Sequence, residues 1–452
     1  MAQNFSPAEL SQRDGERMRG YKALLDFYEG HQWCARPSVE KRLTFNYARV
    51  VIDKLTSYLM GGMRVRAISS VGASGRTPAG GDGEAARAQA ALDRISHDNN
   101  LQQLDFDTEL DCAVLGDGAY KVIWDSETGE IRVTSPDVQG LYGWWRTDDV
   151  SRLCKVASRY SLPSVDAQTL YGVKTRGKSC LVTEVWTDET FELWCDNALV
   201  ERKPNPCGAI PFIIFPNLRQ PKRCWGMSDI PQLMEPQREL NRALSQLSHI
   251  LELSGNPIAV LENVEQSEDI AVRPGAVWNL PEEAKAYLLD LLQGGGVGLH
   301  ISYIEMLYRT LHDMAESPRA AFGGTGRDIS GVALEIELQP LLQKIWRKRL
   351  IREPVYRRRA EMILRLLSKY KGEDYENLNI EVVWAPVLPR DIASVVKSEE
   401  TLVQSGIHSR RRAMAEVGVT DPESEFARWL DERSAILKMN KEMNVRPKPG
   451  TE

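Results

Sequence analysis

The stretch Ser228–Gly331 constrains the fold most: it reads as helix, excursion, helix, then a glycine-rich loop opening a third helix. Ser228-Asp229-Ile230-Pro231 offers a polar cap followed by proline, where a missing N–H costs little. Apolar residues recur at Leu233, Leu240, Leu244, Leu247 and Leu251, near a heptad spacing. The other face carries Gln237, Arg238, Asn241, Arg242, Ser245 and His249, so one stripe packs and the other meets water or a polar partner. Gly255-Asn256-Pro257 stops this helix, and a second is predicted over Leu299–Glu316. Inside the excursion Ile258–Leu261, Ala271–Val272 and Ala276–Leu280 read as extended, and Ala284–Leu292 as a short helix. The run Gly294–Gly298 lacks the Lys-Ser/Thr of a P-loop and fits no dinucleotide fingerprint, so it reads as a flexible connector.

A chain of 452 residues can bury more than one core, and two to four domains are expected. Hydrophobic content of 42% and charged content of 27% are ordinary for a soluble globular protein. A net charge of −6 argues against a surface that coats nucleic acid everywhere, while leaving room for a local basic patch. No apolar run approaches the ~20 residues that span a bilayer, so no membrane partner is expected. The N-terminal residues carry no basic segment followed by an apolar one, hence no secretory signal is expected.

Upstream, Ser6-Pro7-Ala8-Glu9 resembles a capping box and predicts a helix to about Glu29. Asn46 opens another through Met60. Gly72–Gly83 reads as a loop, followed by helices over Glu84–Asn99 and Leu101–Leu115. From Gly118 the composition turns to valine, tyrosine, tryptophan and threonine. Ala119–Trp124, Glu130–Ser135, Leu153–Leu162, Leu181–Thr187, Thr190–Cys195 and Pro211–Asn217 read as antiparallel strands, with a hairpin turn at Asp125–Gly129. The fold class is therefore α+β, mainly helical around a β-rich region at 118–217. Trp124, Trp144, Trp145, Trp186 and Trp194 suit a structural core better than a stacking platform for bases or sugars.

A long helix is predicted from Val332, kinked or broken at Pro340 and Pro354. It carries a basic stripe: Lys344, Arg347, Lys348, Arg349, Arg352, Arg357, Arg358 and Arg359, continuing to Arg365, Lys369 and Lys371. Only Glu353 and Glu361 oppose it. Such a stripe can face phosphates, acidic neighbours in an assembly, or water. Leu378–Trp384 reads as a strand, and helices follow over Ile392–Ser405, Ser409–Glu416 and from Pro422 to about Met439.

Chemistry is sparse. The six histidines stand singly, and no zinc-protease, nucleophile-elbow, Walker or paired-carboxylate pattern is present, so no catalytic residue, cofactor or metal site is predicted. The seven cysteines include no C-x-x-C pair, which fits scattered thiols in a reducing cytosol. The chain reads as structural or binding, not enzymatic.

The order of several short stretches resembles the SPP1-type portal proteins of tailed bacteriophages, over about Tyr28–Leu437. They are Tyr28–Gln32 with Asn46–Asp53 and Ser57–Gly61, then Ile210–Phe212 before Asn217 with Gly226–Ile230 and Leu240-Asn241. Asp328–Leu334 and Ser409–Arg412 with Asp421–Glu425 complete the set. The resemblance implies a homo-oligomeric ring, usually a dodecamer, at one vertex of the virion capsid and assembled in the host cytoplasm. Double-stranded DNA passes through its channel during packaging and ejection. Implied partners are terminase, head-completion or adaptor proteins, scaffold and major capsid protein.

Carried onto this chain, residues 1–227 form a wing, 228–254 a first stem helix, 255–298 the clip and 299–318 the second stem helix. Residues 319–331 then form a tunnel loop, 332–390 the long wing helix and its strand, and 391–452 the crown. Leu299–Glu316 is expected innermost, with Arg309, Arg319 and Arg327 nearest the DNA. A helix over Ser228–Ser254 would be about 40 Å long, enough for a stem wall. The competing expectation is a nucleic-acid-binding protein, not a ring, that uses the basic 344–371 helix directly.

Overall fold

The computed structural model describes residues 5–33, 42–69, 81–149, 151–174, 177–255, 259–262, 285–288, 296–323, 331–375, 378–388, 392–419 and 422–445. The chain divides into two compact units, Met1–Trp384 and Ala385–Glu452. Helix and antiparallel sheet are both present, as an α+β chain requires.

The first unit opens with α1 (Gly15–Tyr28), α2 (Tyr47–Met60), β1 (Arg64–Ser69), α3 (Gly81–Asp98) and α4 (Leu101–Leu115). Asn46 caps α2 by accepting the Arg49 N–H at 3.2 Å. The continuous helix expected from Ser6 is absent: Pro7–Ser11 is a 3₁₀ turn whose Ser6 side chain caps nothing, and Asp14 turns the chain at φ 54°. Leu10 explains the break, because it is buried against Tyr142, Ala157 and Val185, and a straight helix would not deliver it there.

The β region follows: β2 (Asp117–Asp125), β3 (Glu130–Thr134), β4 (Leu141–Trp145), β5 (Leu153–Pro163), α5 (Ser164–Tyr171), β6 (Ser179–Thr187), β7 (Thr190–Cys195), β8 (Ala198–Pro204) and β9 (Phe212–Pro216). Five strands form an antiparallel sheet in the order β4-β5-β6-β7-β8, and three form β3-β2-β9. The Asp125 carboxylate closes the β2–β3 turn on the Glu127 N–H and the Thr128 hydroxyl, and Gly129 takes φ 67°. The three-stranded sheet is a wall between two cores. Phe212 and Ile214 join the core of the five-stranded sheet, whereas Ile213 and Phe215 face α3 and the long C-terminal helix. The tryptophans are spent on packing: Trp186 is buried, Trp124 stacks on Tyr370, Trp145 meets Trp225, and Trp144 and Trp194 meet Phe5.

Next come β10 (Leu218–Arg219), β11 (Gly226–Met227), α6 (Pro231–Gly255), β12 (Ala259–Glu262), β13 (Lys285–Leu288), α7 (Gly296–Met314), α8 (Gly331–Glu337), α9 (Gln339–Lys371) and β14 (Leu378–Val383), which pairs with β1. The short helix expected over Ala284–Leu292 is instead strand where it is described. Lys285–Leu288 pairs antiparallel with Ala259–Glu262, placing Lys285 opposite Glu262. The expected strands at 271–272 and 276–280 lie outside the described residues, as do Gly294 and Gly295, while Gly296–Gly298 begin α7. The long helix breaks just before Pro340, which sits in the first turn of α9, but α9 continues through Pro354. Pro354 is exposed, so the carbonyl it leaves unpaired has water within reach.

The second unit holds α10 (Ile392–Gln404), α11 (Arg410–Val417) and α12 (Pro422–Val445). Ser409 caps α11 by accepting the Arg412 N–H.

Candidate functional site

The α6–α7 hairpin has a built root and a bare flank. At the root, α4 ends at a close approach only glycine permits. Gly116 has φ 97°, and a Cβ there would lie 2.8 Å from the Ser228 nitrogen. The orphan carbonyls of α4 are consumed by the segment opening α6: Ser228 Oγ donates to Val114 at 2.5 Å, and the Asp229 N–H to Ala113 at 3.0 Å. The polar face of α6 is also met inside the chain. Gln237 donates to the Phe45 carbonyl and accepts the Ala48 N–H, while Asn241 donates to Gln32 and accepts the Phe45 N–H.

The basic stripe completes the root. Lys344, Lys348 and Arg352 recur every four residues and share one face of α9, with Arg359 further along. All four are buried. Lys344 pairs with Asp229 Oδ1 at 2.9 Å and donates to the Ala315 carbonyl at 3.0 Å, joining the start of α6 to the end of α7 through one ammonium. Lys348 takes the other Asp229 oxygen and Asn217 Oδ1, both at 2.7 Å. Arg352 grips Glu109 through two bonds of 2.9 and 2.7 Å and donates to the Pro216 and Asn217 carbonyls. Arg359 forks onto Asp105.

These four side chains are thus held by carboxylates within the fold and are not presented to phosphates; the acidic groups they meet belong to their own chain. Of the others, Arg347 pairs with Glu316, Arg357 with Glu353, and Arg349 stands over Trp384. Arg358 and Arg365 border a small surface cleft with Ile210 and Met362. Sequence reasoning missed Glu109, Asp105, Asp229 and Asn217 as partners. The one available signal was the four-residue recurrence of cations interleaved with Leu341 and Ile345.

Burial pushes the Asp229 carboxyl up, but the Lys348 and Lys344 ammonium groups outweigh it and hold it well below the usual carboxylate range. Its native value is depressed, so its contribution to stability is complete above about pH 4 and is lost as pH falls toward the native value. The Asp229→Asn variant is therefore expected to be far less stable than the parent at pH 7, the gap narrowing below about pH 4. Urea titrations across that range check this, and a gap independent of pH would refute the assignment.

Along the hairpin, Arg309 is exposed on α7 and reaches Glu305 at 3.9 Å. Arg319 is exposed in the turn Arg319–Phe322, 5.6 Å over the Tyr308 ring. Arg327 lies outside the described residues. The flank of α7 is apolar on two sides. Leu307 and Leu311 enter the core, whereas Leu299 at 75%, Ile301, Tyr303 and Met306 at 54% are exposed. Among the described residues, the one group able to converge on a metal is Asp26, Glu29 and His31, the last two exposed. No helix of the described residues is long and apolar enough to cross a membrane.

A buried ionic root thus lies beneath a helical hairpin whose α7 flank leaves apolar side chains unburied. The family described as phage portal protein, SPP1 Gp6-like, matches residues 8–439, and the chain belongs to that family. No curated protein matches it. Family membership supports a phage portal function; the family is a structural, non-enzymatic one, and it implies capsid association and oligomerisation.

Proposed function

We propose that this chain assembles into a closed ring, dodecameric as the family resemblance implies, that forms the DNA channel at one capsid vertex. The carrying observation is α7. A helix with Leu307 and Leu311 in its own core and Leu299, Ile301, Tyr303 and Met306 in water needs a second partner. A neighbouring copy supplies it through a heterologous contact, which closes into a ring. In this reading α6 and α7 are the stem, and Gly255–Gly298 is the clip where terminase and then head-completion proteins dock. Residues 1–227 and 332–390 make the wing against scaffold and capsid protein, 319–331 the tunnel loop, and 391–452 the crown. Arg309, Arg319 and Arg327 are the channel candidates. A net charge of −6 suits a conduit that passes DNA without holding it over its whole surface. The competing reading, direct nucleic-acid binding by α9, is weakened because Lys344, Lys348, Arg352 and Arg359 are engaged internally.

Negative-stain microscopy of the purified chain tests the ring. Annular particles with a hole near the width of a duplex are expected; uniform monomers at high concentration would overturn the proposal.

A further inference from the structure

In the second unit, three arginines and two aromatic rings form a cluster that the reading above leaves unused. Arg410 and Arg411 fall in the first turn of α11, where the positive end of the helix dipole disfavours cations. Rings on α12 hold them there. The Arg410 guanidinium lies 4.4 Å from the Trp429 centroid, Arg411 lies 4.7 Å from that of Phe426, and Arg433 approaches Trp429 at 5.1 Å. Phe426 and Trp429 stack at 5.5 Å and 23°. Ser409, Arg410, Arg411, Phe426 and Trp429 line one shallow cleft, its rings half-buried and its arginines exposed.

We infer that Arg410, Arg411 and Arg433 form a docking site for the phosphodiester groups of duplex DNA. Guanidinium groups already cover the ring faces, so unpaired bases find little to stack on, which favours backbone over base recognition. A guanidinium lying on a ring keeps its N–H donors in its own plane, where they suit the paired oxygens of a phosphate. Exposed cations of this kind release and regain phosphates readily, so a duplex can slide past them. The choice of DNA as the polyanion rests on the proposed portal function, whereas the cationic site rests on the cluster itself.

The test uses the full chain and a fluorescein-labelled random-sequence duplex, with anisotropy titrations from low to moderate salt. The triple variant Arg410→Gln, Arg411→Gln, Arg433→Gln is expected to bind at least ~10-fold more weakly at low salt and to flatten the salt slope by about 2–3, near 0.9 per lost phosphate contact. The corresponding arginine-to-lysine triple should keep most of the slope, separating charge from packing. A control pair on α9, Arg357→Gln with Arg358→Gln, should change neither. Unchanged binding by the glutamine triple, or an equal loss in the control pair, overturns the inference. So does inorganic phosphate that displaces the duplex completely at matched ionic strength, since the cleft would then be a small-anion site. Ring formation is scored on the same preparations, so failure of the portal reading and failure of this one remain distinguishable.

Discussion

Replacing Arg352 with methionine is expected to destabilise the first unit by about 3–5 kcal/mol, because it strands a buried carboxylate. Arg352 is fully buried, and its guanidinium satisfies both oxygens of Glu109, which is 1% exposed. Without it, among the described residues, Glu109 keeps only the Lys348 ammonium, at 3.9 Å, and the Pro216 and Asn217 carbonyls lose a donor. In a unit of this size the loss should lower the melting temperature by about 4–6 °C. The pair itself need not be strongly stabilising, since desolvating two charges offsets much of their attraction. Hence Arg352→Met combined with Glu109→Gln should recover a large part of the loss. Calorimetry on the two single variants, the double and the parent gives the coupling directly. A single variant that melts with the parent would mean that this contact does not hold the hairpin root.

That network shows how far the sequence could be read. The recurrence of Lys344, Lys348 and Arg352 disclosed a shared helix face, but not what covers it. The partners lie on α4 and at the β9–α6 junction, far away in sequence, and a cation facing Glu109 looks the same in sequence as one facing phosphate. Local signals fared better. The Asn46 cap and the Asp125–Gly129 turn are closed by atoms a few residues apart, and both form as their residue types dictate. Where a distant contact competes, it wins. Leu10 is drawn into the sheet core and breaks the predicted first helix, and Glu262 with Val260 recruits Lys285–Leu288 into a strand. The hairpin itself was legible because its heptad stripe and its proline and glycine punctuation are local features. The second apolar side of α7 became evident only once Leu307 and Leu311 were seen to fill the core, leaving Leu299 and Met306 outside it.

Those outward residues carry the second large effect. Substituting both Leu299→Asp and Met306→Asp is expected to convert the proposed ring to folded monomer. The two side chains are exposed in the single chain, so the substitutions remove nothing from its core, and its melting temperature should barely change. In a ring each would instead place a carboxylate in a dehydrated apolar contact, at about 2 kcal/mol or more per interface if either is a hot spot. A closed ring repeats that penalty at every subunit boundary, so a modest local cost becomes a complete shift in assembly. Light scattering coupled to gel filtration reads the outcome directly. Val165→Asp on α5 is the matched control: its side chain is as exposed as that of Leu299 but stands on a helix packed against β5 and β6, and it should leave the ring intact. If the α7 double variant assembles as well as the control, the exposed flank of α7 is not the ring contact, and the neighbouring copy must seat elsewhere on the chain.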